Sequence, residues 1–358
     1  MAHAAVTALP RVVADAIIRF TEESAANFEN FAELLKAIQE TRASAADLIG
    51  ASPEEIALIG PTSLGLSLFA NGIEWQPGDE VICYLDDYPA NVYPWLNLRS
   101  RAVTIRLLEP AGTGALTPQL VAEALTPKTR LVALASCNFL SGYRIDLQAI
   151  GKLLREKDIL FSVDAIQTLG AFPTTVEYVD FLSADAHKWL LGPLAIGIVY
   201  VRKECFDLCR PTLLGSWNVK APGFIAQGEI EFHPTAQRYE PGAMNVMGIF
   251  GMKAAIDLLL EIGIPSVARR IGTITAKLAG GLREQGFVFL GPTDGPNASG
   301  IVTVSRPGTD MKALFERLTA ANIVCSTRED RQGRHYIRFS PHFYNTEAEV
   351  DQVLKVMA

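Results

Sequence analysis

The 358-residue chain lacks a cysteine framework. Its five cysteines, Cys83, Cys137, Cys205, Cys209 and Cys325, are odd in number, scattered and without a CxxC pair. That excludes a disulfide scaffold, suggests no metal site, and favours a reducing compartment. No window of about 18 uninterrupted apolar residues occurs, so no membrane-spanning helix is expected. The start, MAHAAVTALPRVV, lacks the basic and apolar regions of a secretion signal, so the expected location is cytoplasmic. Basic charge is also short: 32 Lys and Arg stand against 39 Asp and Glu, a net charge of -7 that suits no phosphate-backbone binder. There is no GxxxxGK[ST] loop, no repeat and no low-complexity stretch.

What remains is a globular composition, 49% hydrophobic and 20% charged, long enough for about two domains. From about Glu55 to Arg202, β-branched apolar runs alternate with amphipathic stretches, the pattern of a mainly parallel sheet covered by helices. Seven strands are predicted, at Ile56 to Ile59, Glu80 to Leu85, Val103 to Leu107, Leu131 to Ser136, Ile159 to Asp164, Asp180 to Ala184 and Ala195 to Val201. The stretch Arg11 to Gly50 reads as helix, broken near Thr21 and again around Arg42. After Tyr239 come helices at Val246 to Ile262 and from Pro265 to about Gln285. Short strands at Phe287 to Leu290, Gly300 to Ser305, Ile323 to Thr327 and Tyr336 to Ser340 follow, with helices at Asp310 to Ala321 and Thr346 to Met357. This order describes a smaller α+β domain. The longest loop-like region, Leu214 to Arg238, is rich in Gly, Pro and His.

Ligands of open α/β sheets bind beyond the carboxyl ends of the strands. Those ends carry Thr62 and Ser63, then Asp86, Asp87 and Tyr88, then Asn138, then Asp164 with Gln167, then Asp185, His187 and Lys188. Taken singly, each has a plain structural role: Thr62 and Ser63 as helix caps, Asp164 as a hydrogen bonder, Lys188 as a surface charge, Tyr88 as a loop aromatic. A phosphate site at the amino end of the helix beginning at Ser63 is the functional alternative. Their concentration at the ends of otherwise apolar strands favours a site.

VDAIQTLG (Val163 to Gly170) followed by SADAHKWLLGP (Ser183 to Pro193) resembles the class V aminotransferase family of pyridoxal-phosphate enzymes. That group includes cysteine desulfurases and isopenicillin N epimerase-like proteins. HAAVTALP (His3 to Pro10), GPTSLGLSLFANG (Gly60 to Gly72), DDYPANVYPW (Asp86 to Trp95), SGYRIDL (Ser141 to Leu147), RYEPGAMN (Arg238 to Asn245) and IRFSPHFYNTEAEVD (Ile337 to Asp351) extend the likeness over nearly the whole chain in family order. The resemblance implies the fold type I transferase architecture, with a mainly parallel seven-stranded sheet domain and a smaller α+β C-terminal domain. It implies a large cofactor-binding domain over 13–251 and a small domain from 1–12 and 252–358. A short leading strand of relatives is expected to be absent, since HAAVTALP begins almost at residue 1.

The resemblance also implies roles. Pyridoxal 5'-phosphate is the expected cofactor, with Lys188 forming the Schiff base (internal aldimine) and carrying the α-proton. A buried lysine of lowered pKa suits that task. Asp164 would keep the ring nitrogen protonated, Gln167 and Asn138 would lie near the ring's phenolic oxygen, and Tyr88 would cover the ring where desulfurases carry a His. Thr62, Ser63 and His187 would hold the phosphate. Arg338, whose planar fork suits a carboxylate, would bind the substrate, with Asn138 nearby; the alternative for Arg338 is a strand arginine in a salt bridge. Asp185 stands where desulfurases have a phosphate-binding Ser, so it should point away or pair with Arg or His. Ala243 replaces a Thr that in many relatives reaches the neighbouring subunit's phosphate. His3, Trp217, His233 and Tyr239 are candidates for shaping the substrate pocket.

Desulfurases place a mobile Cys between the small-domain strand and the Arg motif, and here Ser326 to Tyr336 has none. Cys325 reads as a small buried strand residue. The expected reaction is transamination of an amino acid by a homodimer with its site between subunits. The alternatives are a C-S lyase or desulfurase, an epimerase, or a phosphate-ligand binding protein without catalysis.

Overall fold

The computed structural model describes residues 1–27 and 31–358. All seven predicted strands of the larger sheet form: β1 (Ile56–Leu58), β2 (Glu80–Cys83), β3 (Thr104–Leu107), β4 (Thr129–Ala135), β5 (Leu160–Asp164), β6 (Phe181–Asp185) and β7 (Gly197–Val201). Their order is β1-β7-β6-β5-β4-β2-β3. The run from β6 to β3 is parallel, and β7 is antiparallel to both its neighbours.

Both faces of this sheet are covered, which is why its strands are apolar throughout rather than alternating. In β4, Val132 and Leu134 enter the core on one side and Leu131 and Ala133 the core on the other. The first side is closed by α2 (Phe31–Ile49) and, later in the chain, α6 (Leu147–Arg155) and α7 (Val246–Ile262), with α1 (Arg11–Ala26) packed on α7. The second is closed by α3 (Thr62–Gly72), whose Phe69 stacks on Phe181 of β6 at 4.9 Å. Gly65 permits that approach, since a Cβ there would lie 2.4 Å from Ser183 Oγ. Short helices α4 (Tyr93–Leu96) and α5 (Pro118–Ala124) lie in the connections. Capping fixes α6 at both ends: Asp146 accepts from Ala149 N at 2.9 Å, while Lys152 and Arg155 occupy the last turn.

The second sheet is antiparallel, with β8 (Val288–Phe289), β9 (Val302–Ser305), β10 (Ser326–Glu329) and β11 (His335–Phe339) in the order β10-β11-β9-β8. With α8 (Ile264–Glu284), α9 (Met311–Ala320) and α10 (Glu347–Met357) it builds a core of its own around Leu278, Leu314, Ile337 and Val353. The first residues of the chain join it: Ala2 bridges Ser340, and Thr7 N donates to His187 O at 2.8 Å, so residues 1–7 run from the small sheet to the end of β6.

Three expectations are corrected. Helix α1 continues past Thr21 to Ala26, and α2 continues through Arg42. The expected break around Arg42 does not occur. Arg42 is instead buried, with Nη2 2.5 Å from Glu240 Oε2, while Glu240 Oε1 accepts from Leu58 N at 2.8 Å. One ion pair thus ties α2, β1 and the segment before α7. Strand β10 also begins at Ser326, three residues later than Ile323. Arg42→Ala would leave Glu240 buried without its partner, at a cost of about 3–5 kcal/mol. The denaturant midpoint should fall accordingly; an unchanged midpoint would contradict this account of the pair.

Candidate active site

Parallel pairing sets the site. Asp164 ends β5 level with Ser183 of β6, and Asp185, His187 and Lys188 follow at the end of β6. Helix α3 starts above this edge without a side-chain cap, so Thr62 and Ser63 are not caps. The Thr62 hydroxyl accepts from Asp185 N at 2.8 Å, and Thr62 O accepts from Ser183 Oγ at 3.1 Å, which locks the helix start onto β6. A cavity of about 360 Å³ lies there. Thr62, Ser63, Tyr88, Asp164, Gln167, His187, Lys188 and Arg338 all line it. A larger neighbouring cavity, about 510 Å³, shares Phe139 but contains no lysine.

Lys188 is 7% exposed. Burial is the main cause that lowers its pKa to about 8; Asp164 opposes the shift, and Arg338 and Arg328 add to it. Its Nζ stands 5.2 Å from the centre of the Tyr88 ring, which meets Phe139 edge-on. Asp164 is buried, accepts from Ile166 N at 3.0 Å, and has its pKa raised by burial against the opposing pull of that bond and Lys188. Gln167 is fixed at both ends, donating to Ala4 O at 3.1 Å and accepting from Trp189 Nε1 at 2.8 Å. Ala4, Ala5 and Val6, in the segment before α1, close the cavity.

Arg338 is 1% exposed and in no salt bridge among the described residues, which removes the strand-salt-bridge alternative. Its Nη1 donates to Phe139 O at 2.5 Å, while Nε and Nη2 have no partner. Burial, then Arg328, pushes its pKa down to about 9. Asp185 does turn to a histidine: Oδ1 lies 3.0 Å from His187 Nδ1, at ion-pair distance but too misaligned for a hydrogen bond.

Other expected residues fall elsewhere. Asn138 does not line the cavity; its Nδ2 donates to Asp86 O, and its Oδ1 accepts from Leu140 N and Ser141 N, so the carboxamide holds a turn. None of His3, Trp217, His233 and Tyr239 lines it either. His3 is held between Ser340 O and the Tyr344 hydroxyl, Trp217 packs on Phe31, and the Tyr239 hydroxyl donates to Cys209 O. Ala243 sits in an exposed loop. Arg328 lines the cavity and was missed. The expected strand end at Thr327 left it in a loop, whereas alternation along β10 would have put it on the face of Ser326.

The family model of Aminotransferase class-V matches residues 1–353. The chain belongs to this family. A protein named "Probable cysteine desulfurase" from Methanothermobacter thermautotrophicus is 27% identical over 97% of this chain and 90% of its own. An uncharacterized aminotransferase of Bacillus subtilis is 26% identical over all of this chain and 93% of its own. Among solved structures, the apo cysteine desulfurase of Thermococcus onnurineus superposes with a TM-score of 0.91 at 24% identity, covering 99% of this chain and 92% of that one, which shows the shared fold. The family's cofactor is pyridoxal phosphate, and the protein is an enzyme that depends on it. The cavity fits that group: a buried carboxylate, a lysine of lowered pKa, and guanidinium nitrogens of Arg338 left without hydrogen-bond partners among the described residues.

Because the unprotonated amine is the nucleophile, reductive methylation of Lys188 in the cofactor-free protein should rise with pH through about 8 rather than 10.5. Asp164→Asn, which removes the group that raises this pKa, should move the bend lower. Mass spectrometry of the Lys188 peptide reads both; a bend above 10 would contradict the burial argument.

Proposed function

We propose that this protein transfers an amino group from an amino acid to a 2-oxo acid, with Lys188 as the cofactor's attachment point and the carrier of the α-proton. The observation that carries this reading is the buried Lys188 between Asp164 and Arg338 in one cavity. Thr62, Ser63 and His187 would hold the cofactor's phosphate, at the uncapped start of α3. Asp164 would face the ring nitrogen, Gln167 the phenolic oxygen, and Tyr88 one face of the ring. When bound, the cofactor supplies an electron sink for carbanion chemistry at the α-carbon. Arg338, rigidly held by Phe139 O, offers Nε and Nη2 to the substrate carboxylate. Lys188 is then positioned to take a proton from one atom and return it to another without bulk water. Asn138 supports the loop under this arrangement rather than touching substrate.

C-S bond cleavage is the second reading, favoured by the names of the relatives. The thiols bear on how it would run. The β10–β11 hairpin has no cysteine, all five cysteines are buried, and burial pushes the Cys325 thiol up to about 12. A route using an enzyme-borne thiolate has no candidate here, whereas elimination that leaves sulfur on the product needs none.

We also propose a homodimer. Phe224, Ile225 and Ile230 stand exposed on one loop segment, with Met247 exposed at the start of α7, and a second copy covering them would remove that apolar surface from water. A cytoplasmic location agrees with five unpaired cysteines.

An amino-donor screen with product analysis tests the reaction. Transamination predicts a new amino acid in one-to-one yield with the 2-oxo product; release of ammonia or sulfide without a new amino acid would replace it with elimination. Asp164→Ala should keep the cofactor bound but lower turnover by at least about 100-fold, within the range of a lost electrostatic contact. Full retained turnover would contradict the role of Asp164.

A further inference from the structure

The β10–β11 hairpin carries an unusual density of charge, and nearly all of it is matched. Asp330 pairs with Arg334 at 2.6 Å and accepts from the Tyr336 hydroxyl at 2.9 Å. Glu329 lies 3.5 Å from His335, and Arg331 reaches across to Asp86 and Leu85 O. Arg328 is the exception. Among the described residues it has no carboxylate within ion-pair distance, its Nη1 donates only to the carbonyl of Thr327, and its buried Nε has no partner.

Its direction follows from the register. Ser326 pairs with Arg338, so Arg328, two residues along β10, stands on the same face of the sheet as Arg338 and diagonal to it. Diagonal neighbours have Cβ atoms about 7–8 Å apart. Arg328 and Arg338 both line the cavity that holds Lys188, and among the described residues the one carboxylate lining it is Asp164. Two arginines and a lysine thus converge on a partly dry space: burial lowers the pKa of Arg328, burial and then Arg328 lower that of Arg338, and both arginines add to the burial that lowers that of Lys188. An α-carboxylate on Arg338 would match one of these charges and leave Arg328 unmatched.

We infer that the substrate bears a second anionic group on its side chain, as in a dicarboxylic amino acid, and that Arg328 is the residue that binds it. This deepens the proposed function and rests on Arg338 binding the α-carboxylate. The fork of Arg328 is a bidentate donor for a carboxylate, and its placement one diagonal from Arg338 sets the two anionic groups at opposite ends of a short chain.

The test uses the cofactor-loaded protein and non-reacting ligands. Binding of glutarate, succinate and butyrate is measured by calorimetry for the wild type, Arg328→Gln and Arg328→Lys, with bound-cofactor absorbance checking that each variant is intact. The wild type should bind the diacids more tightly than butyrate. Arg328→Gln should weaken the diacids by about 10- to 100-fold, the size of a charge-assisted contact, and leave butyrate unchanged; Arg328→Lys should fall between. Equal affinity of diacid and monoacid in the wild type, or equal losses for both in Arg328→Gln, would overturn the inference. If diacid preference is absent while Arg338→Ala still weakens butyrate, the inference alone fails. If Arg338→Ala leaves every ligand unaffected, the reading of Arg338 fails and takes the inference with it.

Discussion

Lys188 is held in a nearly dry cavity, and the surroundings determine how often its amine is neutral. Burial pushes the pKa down to about 8, Asp164 pulls it back up, and the two arginines push again. The fold's parallel strand order makes this balance possible, because it brings the ends of β5 and β6 side by side with a carboxylate on one and a lysine on the other. The small domain then sets the remaining charges from the opposite side, through Arg338 on β11 and Arg328 on β10. Neither domain alone contains the site. Fixed polar groups in a water-poor space act more strongly than the same groups in water, so closure by the amino-terminal segment and the small sheet strengthens every charge in the cavity.

The sequence was most informative where local pattern and tertiary role coincide. The strands of the larger sheet are apolar on both faces, so each reads as a short apolar run bounded by turns. The polar residues at their ends stand out against that background, which is how Thr62, Asp164, Gln167, His187 and Lys188 were found together. It was least informative where a residue's meaning depends on a distant partner. Arg42 reads as an interruption of a helix until Glu240, far along the chain, is seen against it. Asn138 reads as a ligand-binding polar residue because its position is right, yet its carboxamide is fully engaged by the backbone around it. Arg328 was passed over for a smaller reason, a strand end placed too early, which hid the face it shares with Arg338. His3 and Tyr239 read as pocket residues from their loop positions, but aromatic packing and backbone carbonyls hold them away from the cavity.

Asp185 shows how a departure from relatives can be accommodated. A carboxylate near a phosphate would oppose its binding, but this one is turned to the imidazole of His187, and its backbone N-H is taken by Thr62. The negative charge is thereby set behind a histidine rather than in the cavity. The thiols are all buried, and burial raises the pKa of each, so none of them is a ready nucleophile.

The most direct test of the central claim, that Lys188 is the residue to which the cofactor attaches, is borohydride reduction of the cofactor-loaded protein followed by proteolysis and mass spectrometry. The account predicts a pyridoxyl mass on the peptide containing Lys188 and on no other lysine peptide. The same mass on a different lysine, or its absence from every peptide of a protein that had bound the cofactor, would contradict it.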